Sequence, residues 1–173
     1  MKPSLAVKIP VFLIAILAAV CILPYSCVHA QQASMESRKA ESDEKQFDKQ
    51  RNQGLSEDDP QYWMDKGGLY ASYGNQDAAI KSFSKALELD PENIRAAFNL
   101  GLAYAENGDY DKALGFINKA VSGAPKNGNY LYGRGWVHLL AGDSEKAMRD
   151  IGRAAELGNP EALEYMNSIA PRR

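Results

Sequence analysis

Three glycines, Gly67, Gly101 and Gly135, stand 34 residues apart. Ala79, Ala113 and Ala147 follow at the same interval, and so do Ala86, Ala120 and Ala154. Gly74, Gly108 and Gly142 keep the register as well. Self-similarity at a fixed period of about 20–50 residues restricts a chain to architectures in which one small unit stacks on copies of itself. A single irregular globular core gives no reason for such spacing.

The middle copy shows what the unit is. Residues 90–125 read DPENIRAAFNLGLAYAENGDYDKALGFINKAVSGAP. Ala97, Leu100, Gly101 and Tyr104 recur at helical spacing on one face. Asn107-Gly108-Asp109 breaks the run. Ala113, Phe116, Ile117 and Ala120 then form a second apolar face, which Gly123 and Pro125 end. Asp90 is the expected cap of the first helix, with Pro91 at its first position. The unit is therefore two amphipathic helices joined by a tight turn. Small residues at Gly101 and Ala113 fit a close crossing of the two backbones, because a large side chain would hold the helices apart. Tyr70, Tyr104, Phe83 and Ile117 are large enough to fill the space between helices and between units. One helix pair cannot bury its apolar face alone, so at least about three units are needed.

In these in-register residues the chain resembles the tetratricopeptide repeat family, over about 100 of its 173 residues. The resemblance implies an all-α, helical-repeat solenoid of three helix-turn-helix units, at 60–93, 94–127 and 128–161. The segment 160–169, PEALEYMNSI, reads as a capping helix whose Leu163, Met166 and Ile169 cover the third unit. The alternative is the start of a fourth, truncated unit. Lys66 and Arg134 depart from the pattern, standing where the middle unit has Leu100, and their aliphatic stems can still cover apolar surface. His138 aligns with Tyr70 and Tyr104, which makes it a packed residue rather than a base or ligand.

In this family the first helix of each pair lines a concave surface. Carried over by register, those positions are Met64, Asp65 and Gly68, then Arg95, Phe98, Asn99, Leu102 and Glu106, then Asn129, Tyr132, Gly133, Trp136 and Leu140. The candidate partner-binding residues are Arg95, Phe98, Asn99, Leu102, Tyr132 and Trp136. Phe98, Leu102, Tyr132 and Trp136 are apolar where the core does not require it, and clustered aromatics suit binding hot spots. The competing reading is that the last helix or a second copy of the chain covers them. Some members grip a C-terminal carboxylate with lysine, asparagine and arginine in this groove. Asn99 fits that pattern, whereas Met64, Gly68, Asn129 and Gly133 supply none of the rest.

No catalytic set is visible. Both cysteines, Cys21 and Cys27, and one of the two histidines, His29, lie in the first thirty residues. His138 alone cannot build a zinc site of the usual kind, and no Gly-rich phosphate loop follows a strand. No metal and no cofactor is expected. A net charge of −2 and the lack of a basic stripe argue against nucleic acid as a partner. The expectation is a non-catalytic protein–protein interaction module, an adaptor or assembly factor with a protein or peptide partner in the groove. The alternative is structural self-association, a homodimer in which Tyr132 and Trp136 bury against a second copy.

The N-terminus points outside the cytoplasm. Lys2 and Lys8 precede thirteen apolar residues, Val11 to Leu23, and Val28-His29-Ala30 fits a small-residue cleavage pattern. A bilayer-spanning helix takes about 20 apolar residues. Residues 1–30 thus read as a signal peptide cleaved after Ala30, or as an uncleaved membrane anchor. Cys27 also raises lipid attachment, which Pro24 in the preceding residues fits poorly. The product is periplasmic or extracellular, or is tethered to a membrane with its repeats outside the cytoplasm. Residues 31–59 are charged with few apolar residues, and read as a flexible linker. A sharper alternative is a segment that folds on a partner with Phe47 as its anchor.

Overall fold

The computed structural model describes residues 34–35, 37–49 and 56–169. The leader expected over 1–30 lies outside the described residues. The chain divides into two compact units, residues 1–43 and residues 44–173. The first contributes helical residues 34–35 and 37–43. The second opens with helical residues 44–49 (α1) and continues through α2 (Pro60–Ser72), α3 (Gln76–Leu89), α4 (Ile94–Glu106), α5 (Tyr110–Gly123), α6 (Gly128–Leu140), α7 (Ser144–Glu156) and α8 (Pro160–Ile169). All regular structure among the described residues is helical. No described helix is long and apolar enough to cross a membrane.

The helices pack as antiparallel pairs, α2 with α3, α4 with α5 and α6 with α7, and each pair stacks on the next. The glycines at the crossings are dictated by contact. A Cβ on Gly101 would stand 2.5 Å from Ile117 Cγ1 and 2.9 Å from the Ala113 carbonyl oxygen. On Gly135 it would meet Ile151 at 2.7 Å, and on Gly67 the Phe83 ring at 2.5 Å. The surrounding core holds Ala79, Leu100, Ala113, Ile117, Ala147 and Ile151, each at most 1% exposed.

Helix starts are capped by side chains. Asn75, Asp109 and Asp143 each accept a hydrogen bond from the backbone N–H three residues on, and Asn93 and Asn127 do the same for α4 and α6. Asp90 does not cap α4. It follows the end of α3, and its Oδ1 accepts from Glu92 N at 3.2 Å, so Asp90-Pro91-Glu92 is a turn and Asn93 is the cap. Gly123 is the last residue of α5 rather than a left-handed stop. Its missing side chain makes room for Ile94, whose Cδ1 would lie 2.6 Å from a Cβ there.

Two kinds of corner alternate. Between α4 and α5, Gly108 takes φ +84°. Gly108 N–H bonds to the Ala105 carbonyl and Asp109 N–H to the Tyr104 carbonyl, which closes α4 with a Schellman motif. The α2–α3 and α6–α7 turns repeat this pattern. The links α3–α4 and α5–α6 instead run through Asp90-Pro91 and Ala124-Pro125 without it. After α7 the chain uses the first kind of corner again. Gly158 has φ +82°, Asn159 N–H reaches the Ala154 carbonyl, and Asn159 Oδ1 caps α8 at Ala162 N, 2.7 Å away. A fourth unit would begin with the other link, so α8 closes the stack. It does so with Ala162, Tyr165 and Met166. The expected Leu163 and Ile169 face outward, 45% and 48% exposed.

The segment expected to be a flexible linker contains helix. In α1 the residues Glu44, Phe47 and Asp48 form a stripe at i, i+3 and i+4, and they meet α2. Phe47 packs on Tyr62, ring centroids 5.4 Å apart. Tyr62 Oη donates to Asp48 Oδ1 at 2.9 Å, and Tyr70 Oη donates to Glu44. Lys66 Nζ lies 3.6 Å from Glu44 and 3.5 Å from Asp48. Burial, helped by the bond to Glu44, pushes the Tyr70 hydroxyl up to about 12. Burial pulls Lys66 down, but the oxygens of Tyr70, Tyr62 and Asp48 outweigh it and its value rises. Lys66 thus replaces a leucine because two carboxylates face it. Arg134 has a parallel reason. Its Nε and Nη2 donate to Asp150 at 2.6 and 2.8 Å, and its Nη1 to Asn118 at 3.0 Å, tying α6 to α7 and α5. His138 is half-buried, and burial holds its imidazole below the ordinary value despite Asp150 and Asp143 nearby.

Candidate functional site

The first helices of successive pairs lie side by side, with α4 touching α6 directly. Between them opens a hollow of about 270 Å³ whose walls include Phe98, Leu102, Glu106, Tyr132 and Trp136. It exists because a small residue stands in its floor. Gly133 is buried, and the Phe98 ring would lie 2.6 Å from a Cβ there. Phe98 also packs on Tyr130, ring centroids 4.6 Å apart, so one face of its ring is spent on the protein itself.

A second hollow of about 200 Å³ lies on the other side of α4. Gly68, Gln76, Phe83, Asn99, Leu102 and Glu106 are among its walls. Leu102 and Glu106 line both hollows. They are one helical turn apart, so they form a ridge along α4.

Four of the six candidate residues therefore share one hollow: Phe98, Leu102, Tyr132 and Trp136. Asn99 lines the second. Arg95 lines neither; it is exposed, and its Nη2 donates to Gln61 Oε1 at 2.6 Å. Gln61 in turn donates to Asp65 Oδ1 at 2.5 Å, so the arginine is linked through a neutral amide to a carboxylate. Met64, carried over as a groove position, is 5% exposed and belongs to the core. Tyr132 and Trp136 are half-buried and pack in part against the core cluster around Ile151.

Sequence reasoning missed Gln76. It opens α3, a second helix, whereas the family register points to first helices. Its Nε2 donates to Glu106 Oε2, while its Oε1 is buried and meets no donor among the described residues. No described cluster of His, Cys, Asp and Glu has the arrangement of a metal site.

The family model described as tetratricopeptide repeat matches residues 94–127, and that described as TPR repeat matches 67–108. Residues 67–127 carry tetratricopeptide repeats. Solved structures share the architecture. The first such domain of Spaghetti (RPAP3), bound to the HSP90 peptide SRMEEVD, is 26% identical with a TM-score of 0.59, covering 67% of this chain and 95% of that one. YrrB, described as a TPR protein with an unusual peptide-binding site, is 19% identical with a TM-score of 0.63, covering 76% and 68%. The TPR2B domain of yeast Sti1 in complex with pHsp70 is 18% identical with a TM-score of 0.57, covering 63% and 90%. The last two show the fold alone. No curated protein matches the sequence. Tetratricopeptide repeats mediate protein–protein interactions, on a scaffold that is typically non-catalytic.

Proposed function

We propose that the chain is a non-catalytic adaptor or assembly factor of the cell envelope, which holds a short segment of a partner protein in the groove along α4 and α6. One observation carries this reading. Phe98, Leu102, Tyr132 and Trp136 surround a single hollow, and each is half-buried rather than packed away. Large apolar side chains held open at a rigid wall suit anchoring contacts. That the first such domain of Spaghetti (RPAP3) is found with an HSP90 peptide bound supports the same use here. The envelope location rests on the leader pattern in residues 1–30, with cleavage after Ala30 or retention as a tether.

Two variants test the groove. Leu100 is 1% exposed, so Leu100→Ala should cost about 2–5 kcal/mol of stability. Trp136→Ala should cost clearly less, because only part of the ring is buried. At a temperature where both remain folded, Trp136→Ala should weaken capture of partners from an envelope extract by about 2 kcal/mol, while Leu100→Ala should not. Equal capture by wild type and Trp136→Ala would refute the groove. N-terminal sequencing of the exported protein should begin at Gln31; a retained Met1 in the membrane fraction would instead favour the tether.

Self-association is the second reading, favoured by the outward Leu163 and Ile169 of α8. A sedimentation mass twice that of the chain, abolished by Leu163→Asp, would establish it.

A further inference from the structure

We propose that the groove takes an extended peptide carrying a basic side chain between two apolar ones, rather than an acidic C-terminal tail. This deepens the adaptor reading and rests on it. The ridge between the two hollows decides the charge. Glu106 lines both and is exposed, and it accepts a hydrogen bond from the neutral amide of Gln76, so its charge is not compensated. Among the described residues, none that lines either hollow is basic. Arg95, the cation of this face, stands outside both and is linked through Gln61 to Asp65. An acidic tail would bring its carboxylates against Glu106 with no cation to receive them. A lysine or arginine would make a charge-assisted hydrogen bond there.

A second observation sets the backbone. Gln76 lines the smaller hollow, and its Oε1 is buried behind that wall and meets no donor among the described residues. Its orientation is fixed, because turning the amide over would set oxygen against the Glu106 carboxylate. An extended chain offers free backbone N–H groups to the other polar residues that line this hollow, Asn99 and Glu106. The interior of a helix does not, since its N–H groups are spent on its own turns. Extended residues advance about 3.3 Å each. Neighbouring helices lie about 8–10 Å apart. Successive side chains of an extended chain point to opposite faces, so apolar side chains four residues apart can enter the hollows on either side of α4, with the basic residue midway between them facing Glu106. The larger hollow, walled by Tyr132 and Trp136, suits an aromatic or leucine, and the smaller one suits an aliphatic side chain.

The test is selection of phage-displayed random twelve-residue peptides on the immobilised full chain. Winners are then measured as synthetic peptides against Glu106→Gln, Glu106→Lys, Trp136→Ala and Tyr132→Ala variants shown by circular dichroism to be folded. Lysine or arginine flanked by apolar residues should be enriched. Such peptides should bind Glu106→Gln about tenfold more weakly, and Glu106→Lys should select acidic sequences instead. Winners that depend on Trp136 or Tyr132 but are acidic, or ignore Glu106, overturn this proposal and leave the groove standing. Winners indifferent to both aromatic variants overturn the groove as well.

Discussion

Gly101 and Gly115 stand in paired helices, and alanine should have opposite effects on them. At Gly101 a methyl group would collide with Ile117 and with the Ala113 carbonyl, which cannot withdraw without parting α4 from α5. Gly101→Ala should cost about 1–3 kcal/mol by denaturant titration. At Gly115, exposed in mid-helix, nothing lies within 4 Å of a Cβ. Gly115→Ala should add about 0.5–1 kcal/mol. The caps give a second prediction at this scale. Hydrogen bonds from Lys112 and Lys146 hold the Asp109 and Asp143 carboxyls below their ordinary value of 3.8. A depressed folded value means that the contribution is present above 3.8 and lost as pH falls through the folded value. The melting temperature of wild type should therefore drop further between pH 5 and pH 3 than that of the Asp109→Asn, Asp143→Asn double variant. Asparagine keeps the cap without the charge. Most of this scale was legible. The crossing glycines and the caps Asp109 and Asp143 follow from the 34-residue register, whereas Asp90 misleads, since its own carboxylate can close a turn as readily as cap a helix.

The helices themselves were legible wherever their inward stripe is apolar. α1 was not, because its stripe is Glu44, Phe47 and Asp48, and two carboxylates do not register as a hydrophobic face. The matching signal sits in α2, where Tyr62, Lys66 and Tyr70 are spaced by four and present donors to that stripe. Each half of the pair is odd alone, and only together do they make a helix contact. Contacts of partly exposed charges are weak and screened by salt. Backbone amides of residues 44–49 should therefore exchange faster in 0.5 M than in 0.05 M sodium chloride, and in Phe47→Ala at either concentration. Hydrogen-exchange mass spectrometry on the full chain checks this; protection equal to that of α4 in all conditions would contradict it. The groove was half legible for a related reason. Register puts Phe98, Leu102, Tyr132 and Trp136 on one face, where they line one hollow, but it cannot show that Arg95 turns to Gln61 or that Gln76 of α3 lines the second. Those depend on side-chain reach across helices, which has no period.

For the molecule as a whole, a linear stack is only as sound as its ends. α8 lays Ala162, Tyr165 and Met166 against the cluster of Ile151 and Ala154. Deleting residues 160–173 would open that face to water. The shortened chain should melt at lower temperature and sediment as a concentration-dependent oligomer, since an uncapped repeat exposes the surface on which another unit would stack. An unchanged melting curve would mean that α8 is an ornament. Gly158 carries this reasoning beyond stability. Arrays of this kind grow when a stretch of one period is copied in tandem, and a copy is useful only if the next one can follow it. Any duplicated stretch that includes the corner at Gly158 brings its own ending, because that corner sends the chain into α8 rather than into a new first helix. A copy made ahead of Leu157 keeps the alternation of corners, whereas one joined after Gly158 would follow a glycine corner where the other units are joined by a proline-containing link. Restoring growth at the other end would take the removal of one glycine corner and its replacement by a proline-containing link such as the one at Ala124-Pro125.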